Sequence, residues 1–133
     1  MQGKVIKCVK NRYSVLTKKN KLYFCNLKSS DRLKKVDFSN PVAVGDLVEF
    51  SIIENEESGI INKVLKRKNY VIRKSVNLSY KSQILASNID FAFLLVTIKE
   101  PKTSLLFIDR YLVTTNAYKI PTILIFNKND IYS

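Results

Sequence analysis

The sequence predicts a small all-β domain followed by a strand–helix–strand unit. In the first part of the chain, short segments of alternating apolar and polar residues are separated by turn residues, which is typical of small barrels and sandwiches. Beyond Gln83 the pattern changes to two continuous apolar runs, at 91–96 and 121–126, with a helical pattern between them. Such runs suit parallel strands that are buried on both faces.

The first part of the chain contains the predicted barrel strands. They lie at 4–9, 13–17, 21–27, 47–53 and 60–65, with a last short strand at 70–73. Gly45-Asp46 is a tight-turn signal, and residues 28–40 are polar without periodicity, which predicts a long connection. Five short strands with one irregular connection favour a partly open five-stranded barrel of the OB-fold type over residues 1–73.

Positive charge is concentrated in this part. The chain has 23 basic and 11 acidic residues, a net charge of +12. Residues 1–83 hold 18 basic and 7 acidic side chains, whereas residues 84–133 hold 5 and 4. This asymmetry predicts a polyanion-binding domain followed by a nearly neutral one. The alternative is a solvated, Lys-rich surface with no dedicated partner.

An OB-fold that binds nucleic acid combines a basic groove with aromatic side chains on which bases stack. The candidate stacking residues are Tyr13 and Tyr23, although aromatic residues on strands are more often core residues or cross-strand partners. The basic candidates around them are Lys7, Arg12, Lys21, Lys34, Lys35, Lys63 and Arg67.

Several other classes of protein are not expected. Cys8 and Cys25 are the only cysteines and histidine is absent, so neither a zinc site nor a disulfide framework is predicted within the chain. We see no signal peptide and no apolar run of membrane-spanning length. We therefore expect a cytoplasmic monomer that does not bind membranes.

The polar segment 74–83 is the predicted linker, and residues 84–133 form the second predicted domain. Thr103 or Ser104 is a good N-cap for a helix that runs to about Tyr118, and Pro121 prevents its continuation. A strand, a helix and a strand in this order form a βαβ unit.

Four polar residues follow the last apolar run: Asn127, Lys128, Asn129 and Asp130. Ligands of open α/β sheets bind just outside the carboxyl ends of strands, and Asn-Lys-x-Asp in that place is the arrangement that reads guanine in GTPases. Asp130 would accept hydrogen bonds from the ring N–H and the exocyclic amine of guanine, Asn127 would bond the other side, and the stem of Lys128 would cover the ring. The alternative is a simple turn.

A phosphate-binding loop is missing from the sequence. Its pattern requires two suitably spaced glycines, and Gly3, Gly45 and Gly59 do not fit. Either the tetrapeptide is a coincidence, or the order of GTPase motifs is permuted and the phosphate loop would follow Ser133.

An ordered series of short motifs runs along the chain. The early motifs are Gly3-Lys4-Val5, Tyr13-Ser14-Val15, Tyr23, Cys25, residues 44–50, residues 59–61 and residues 66–69 with Arg73. The later motifs are residues 86–90, Pro101, residues 104–113, Pro121 and residues 127–130. This ordered series resembles the ribosome small-subunit-dependent GTPase A family (RsgA, or the YjeQ/YloQ type).

The resemblance implies an N-terminal OB-fold, a circularly permuted GTPase domain and a C-terminal zinc-binding domain. It implies a GTPase, using GTP with Mg²⁺ and stimulated by the ribosome, that assists late maturation of the small subunit. The OB-fold would contact ribosomal RNA. The guanine-binding residues that it implies are Asn127, Lys128, Asn129 and Asp130.

The sequence departs from the family pattern at its end. It stops three residues past Asp130, so the family's phosphate loop, switch regions and zinc ligands lie outside it. We therefore expect no catalytic residue among these 133 residues and no GTP hydrolysis by the chain alone. The alternative is a stand-alone OB-fold RNA-binding module without nucleotide function.

A physical expectation concerns the second domain. Two parallel strands with one helix between them cannot cover both faces of a sheet. We therefore expect exposed apolar surface that includes Phe91, Phe93 and Leu95.

Overall fold

The computed structural model describes residues 1–27, 40–53, 56–74 and 82–131. The chain divides into two units, Met1–Asn88 and Ile89–Ser133. The first unit begins with five strands that close into a barrel in the order β1-β2-β3-β5-β4. These strands are β1 Gln2–Val9, β2 Arg12–Thr17, β3 Leu22–Leu27, β4 Leu47–Ile52 and β5 Ser58–Val64.

The five strands form the barrel that the alternating pattern predicts. Strand β3 pairs with β5 in parallel, whereas the other neighbours are antiparallel. Buried and more exposed side chains alternate along part or all of each strand, and the fully buried core includes Val5, Val15, Val48, Phe50 and Ile61. Apolar burial of this kind is the main favourable term in folding.

The inner face also contains a free thiol. Cys25 is buried, and the loss of hydration on burial raises its pKa to about 11. The thiolate is the reactive form of cysteine. The side chain therefore serves as an unreactive apolar core residue.

Two further strands complete the first unit. β6 (Tyr70–Lys74) and β7 (Ser82–Ser87) pair antiparallel as a separate two-stranded sheet. The last strand predicted at 70–73 thus exists, but it lies outside the barrel. Lys74, Ser82 and Gln83, at the ends of the predicted linker, lie in these strands, and residues 75–81 fall outside the described residues.

A buried ion pair joins the turn before β4 to the segment before β6. The carboxylate of Asp46 is fully buried. It accepts hydrogen bonds from Arg67 Nε and Nη2, each at 2.7 Å. The same carboxylate accepts from the backbone N–H of Ala43 at 2.9 Å and from Ser87 Oγ at 2.5 Å. The hydrogen bond with Asp46 raises the pKa of Arg67, so the guanidinium stays protonated.

The same turn approaches β7 closely. Gly45 has a φ of +94°, and a Cβ atom built on it would lie 2.0 Å from the carbonyl oxygen of Ser87. Only glycine therefore fits at this position. Asn88 completes the contact, because its Nδ2 donates to the carbonyl of Gly45 at 3.0 Å and its Oδ1 accepts from the N–H of Lys68 at 2.8 Å.

The second unit is the predicted strand–helix–strand motif. Its elements are β8 Ala92–Val96, α1 Leu105–Ala117 and β9 Thr122–Phe126. The two strands are parallel, with Ala92 opposite Thr122 and Val96 opposite Phe126. Ser104 is the N-cap, and its Oγ accepts from the N–H of Phe107 at 3.1 Å.

The sheet of the second unit has exposed apolar residues, as expected. Leu94 and Val96 are buried, whereas Phe91, Phe93 and Leu95 are more than half exposed. Ile123, Ile125 and Phe126 of β9 are also exposed. Residues 89–131 therefore leave much of the sheet uncovered.

Candidate functional site: a strand-end tetrapeptide and a basic barrel

The Asn-Lys-Asn-Asp tetrapeptide continues directly from the carboxyl end of β9. The backbone N–H of Asn127 donates to the carbonyl of Val96 at 2.9 Å, so the pairing with β8 extends one residue beyond the strand. Lys128 then turns the chain with a φ of +58°. Residues Asn129–Ile131 form one turn of 3₁₀-helix, and the N–H of Ile131 donates to the carbonyl of Lys128 at 3.2 Å.

The loop that follows β8 reaches the same edge of the sheet. Lys128 Nζ donates to the backbone carbonyl of Glu100 at 2.5 Å. The loop is closed at its base, because the N–H of Thr97 donates to Thr103 Oγ1 and the N–H of Thr103 donates to the carbonyl of Thr97, each at 2.9 Å. Polar groups from both strand ends thus meet where ligands of α/β sheets bind.

All four side chains of the tetrapeptide are exposed. An ionised carboxylate such as that of Asp130 offers two acceptor oxygens, and the amide of Asn127 offers both donors and an acceptor. The set is able to accept a pair of N–H donors on one side of a planar ring and to hydrogen-bond on the other. The turn geometry and the guanine-reading interpretation are compatible, because the turn is what exposes these groups.

The two tyrosines proposed for base stacking belong to the barrel core. Tyr13 is 2% exposed and Tyr23 is 4% exposed. The ring of Tyr23 packs against Phe50 with 5.3 Å between centroids. The expected stacking role is corrected to a packing role, because both tyrosines lie at inward-facing positions of their strands.

The basic candidates differ in their surroundings. Lys7, Arg12, Lys21 and Lys63 are exposed. The ammonium of Lys21 lies 5.1 Å from the ring centroid of Tyr23, and Lys63 is directly opposite Glu49 across β4 and β5. Lys34 and Lys35 lie outside the described residues.

Arg67 is held in an ion pair. Its guanidinium donates to Asp46, and its Nη2 also donates to the carbonyl of Pro41 at 3.1 Å. Because these bonds use the planar fork of the side chain, Arg67 has a structural role in the first unit, and its contact with RNA stays a prediction.

One aromatic residue of the barrel strands is exposed, although the sequence pattern does not single it out. Phe24 is 55% exposed at the centre of β3. The alternation of β3 already separates Leu22 and Phe24 from Tyr23, Cys25 and Leu27. The pattern alone does not say which of the two sets faces inward, since both are apolar.

The described residues show neither a cluster of metal ligands nor a membrane-spanning helix. Those residues contain no group of three or more Cys, Asp or Glu side chains placed to hold a metal ion. In the same residues, no helix is long and apolar enough to cross a membrane.

Comparison with known proteins decides the family. The family model described as RsgA GTPase matches residues 64–133, slightly more than half of the chain. This chain belongs to the RsgA GTPase family. The match includes β6, β7, the whole second unit and the terminal tetrapeptide, and it agrees with the resemblance that the motifs carry.

Curated relatives match the entire chain. "Small ribosomal subunit biogenesis GTPase RsgA" of Christiangramia forsetii is 49% identical over 100% of this chain and 43% of its own length. The RsgA of Flavobacterium psychrophilum is 47% identical over 100% of the chain and 41% of its own length. The chain thus spans about two fifths of the length of these RsgA proteins.

Solved structures of the same type have the same fold. YjeQ from Thermotoga maritima superposes with a TM-score of 0.77 at 30% identity, over 99% of this chain and 42% of that one. YloQ, described as a circularly permuted GTPase, gives 0.73 at 27% identity, over 98% and 41%. The five-stranded barrel followed by a βαβ unit is therefore an arrangement that this chain shares with circularly permuted GTPases.

Proposed function

We propose that this chain is the guanine-reading and RNA-binding portion of a GTPase that assists maturation of the small ribosomal subunit. The observation that carries the proposal is the position of Asn127–Asp130 at the carboxyl end of a parallel strand, within the region that matches the RsgA GTPase family. Residues 1–73 would form the RNA-binding domain and residues 84–133 the start of the GTPase domain.

In the proposed site each polar side chain has one role toward the base. The carboxylate of Asp130 accepts from the ring N–H and the exocyclic amine of guanine. Adenine has no such pair of donors on that edge, so the site selects guanine. Asn127 bonds the opposite side of the base, Lys128 lies over the ring, and Asn129 shapes the turn that presents them.

The barrel would supply the contact with ribosomal RNA. Its excess positive charge supports this role, because lysine and arginine near phosphates release condensed counterions. In this proposal the nucleotide is GTP with Mg²⁺ and the partner is the small ribosomal subunit. The protein is a monomer located in the cytoplasm.

The guanine site is tested by replacing one of the two acceptor oxygens of Asp130 with a hydrogen-bond donor. We would join residues 1–133 to the remaining length of the Christiangramia forsetii relative and compare Asp130→Asn with the parent chimera. An asparagine offers one acceptor and one donor, which fits the ring N–H and the 2-carbonyl of xanthine. We expect GTP affinity to fall at least tenfold, about 1.4 kcal/mol, while XTP affinity rises.

The matched control is Asp109→Asn, the same substitution at an exposed position of α1. It should leave the affinities for both nucleotides unchanged, as measured by titration calorimetry. An Asp130→Asn chimera that still binds GTP as tightly as the parent would contradict the guanine-reading role. It would favour the alternative, an RNA-binding role of the barrel without a nucleotide role for Asn127–Asp130.

A further inference from the structure

The outward face of β1, β2 and β3 contains an exposed aromatic side chain among polar ones. One row across the strands runs from Lys7 to Ser14, Phe24 and Ser58, because these residues are successive cross-strand partners. We call this row, together with the neighbouring pair Arg12 and Asn26, the Phe24 face.

The ring of Phe24 is held on a rigid element. Residue 24 lies in the middle of β3, which pairs with a strand on each side. Its backbone N–H also donates to the carbonyl of Glu57 at 2.8 Å. A side chain in this position presents a flat apolar surface without first having to order a loop, which lowers the entropic cost of binding.

The cross-strand neighbours of the ring are polar. Ser14 and Ser58 lie opposite Phe24 on the two sides, and the adjacent residues on the same side of β3 are the half-buried Leu22 and the exposed Asn26. A ring flanked by two serines does not form a continuous apolar patch with them, although patches of that kind usually mark protein–protein contacts. Hydroxyl and amide groups beside an aromatic face suit the edge and the face of a nucleic-acid base.

The Phe24 face is positively charged on one side and negatively charged on the other. Lys7 and Arg12 lie on the β1 and β2 side. On the β5 side, Ser58 Oγ donates to a carboxylate oxygen of Glu56 at 2.5 Å, and Glu57 follows Glu56 in the chain. A phosphate backbone would therefore be attracted to the β1–β2 side and repelled from the β5 side.

We propose that Phe24 stacks on an unpaired base of single-stranded RNA whose phosphates lie against Lys7 and Arg12. The strand would cross the face with its backbone on the β1–β2 side, and Ser14 and Asn26 would lie at the edges of the stacked base. An unstacked base is required, since the bases of a duplex do not expose their faces. This inference rests on the proposed RNA-binding function of the barrel and names the residue and the form of RNA that it uses.

The first test is RNA affinity of the 133-residue chain and its variants, measured by fluorescence anisotropy with a labelled single-stranded RNA of about a dozen nucleotides. Phe24→Leu keeps an apolar side chain but removes the aromatic face, and we expect affinity to fall at least about fivefold. The dependence of affinity on salt should not change, because no phosphate contact is lost. The matched control, Phe107→Leu on the exposed surface of α1, should bind as the parent does.

A second measurement reports on stacking directly. The chain contains no tryptophan, so Phe24→Trp introduces a single indole at the proposed contact. We expect RNA affinity to be retained and the indole emission to be quenched as RNA is added. Phe107→Trp should show no quenching under the same conditions.

The outcomes separate this inference from the function on which it rests. If the parent chain binds the RNA and Phe24→Leu binds it equally well, the stacking role is overturned while RNA binding by the barrel stands. If the parent binds no RNA even at low salt, both are overturned. If Phe24→Leu alters only self-association, measured by sedimentation, the face is a protein contact and the stacking role is again overturned.

Discussion

The two units of the chain bury their apolar side chains to different extents. The barrel closes on itself, so its inward-facing side chains are buried against one another. The second unit has one helix and two parallel strands, and Phe93 remains 60% exposed. Closure of a sheet removes its edges and supplies a complete core, whereas a parallel sheet requires cover on both faces. The apolar strand residues therefore form a closed core in one unit and stay partly exposed in the other.

The largest expected effect is in the barrel core. Phe50→Ala removes a fully buried ring and should lower the free energy of unfolding by about 3–5 kcal/mol. Urea unfolding of the chain, followed by circular dichroism, measures the change. Phe93→Ala in the second unit is the matched control and should change the value by less than about 0.5 kcal/mol. Equal losses for the two variants would contradict the contrast between a closed and an open unit.

The next effect concerns the ion pair that joins the two sheets of the first unit. Asp46→Ala leaves the guanidinium of Arg67 partly buried without its carboxylate. Removing one partner of such a pair costs about 3 kcal/mol. Asp109→Ala, at an exposed position of α1, should cost less than about 0.5 kcal/mol in the same urea experiment.

A second variant distinguishes the charge from the packing. Asp46→Asn preserves the size of the side chain and part of its hydrogen bonding, and it should retain more stability than Asp46→Ala. If both variants unfold at the urea concentration of the parent chain, the ion pair contributes nothing and the account of this junction is wrong.

The smallest expected effect on stability is at the open face of the second unit. Phe93→Lys replaces an exposed ring with a charged side chain. We expect the free energy of unfolding to change by less than about 0.5 kcal/mol and the solubility of the chain to increase, because exposed apolar patches promote association. Solubility is measured as the concentration at which light scattering rises. A large loss of stability would show that Phe93 packs in a core.

Much of the fold could be predicted from local patterns. The alternation of apolar and polar residues predicts the barrel strands. The Ser104 cap and the apolar positions after it predict α1, and the continuous apolar runs predict β8 and β9. The pairing of β6 with β7 could not be predicted, because it depends on contacts between residues distant from the barrel pattern. The ion pair of Arg67 could not be predicted for the same reason, since its partner Asp46 is 21 residues away in the sequence.

The candidate sites were predictable to different degrees. The candidate guanine site at Asn127–Asp130 could be predicted, because its pattern consists of a strand end and four adjacent residues. The outward position of Phe24 could not be predicted, because Tyr23 and Phe24 are neighbours on one strand and the pattern of β3 is apolar on both faces. The burial of the two side chains in the closed barrel shows that Tyr23 faces inward and Phe24 outward.

The central claim is that the two units have separate ligands, RNA for the barrel and guanine for the end of β9. It is tested most directly by measuring RNA and GTP affinities for two variants of the chimera, Asp130→Asn and Lys7→Gln with Arg12→Gln. We expect the first to lose GTP affinity and keep RNA affinity. The second should keep GTP affinity, bind RNA more weakly, and reduce the slope of log affinity against log salt by about 0.7 for each lost phosphate contact. Loss of both affinities in the same variant, or no loss in either, would contradict the claim.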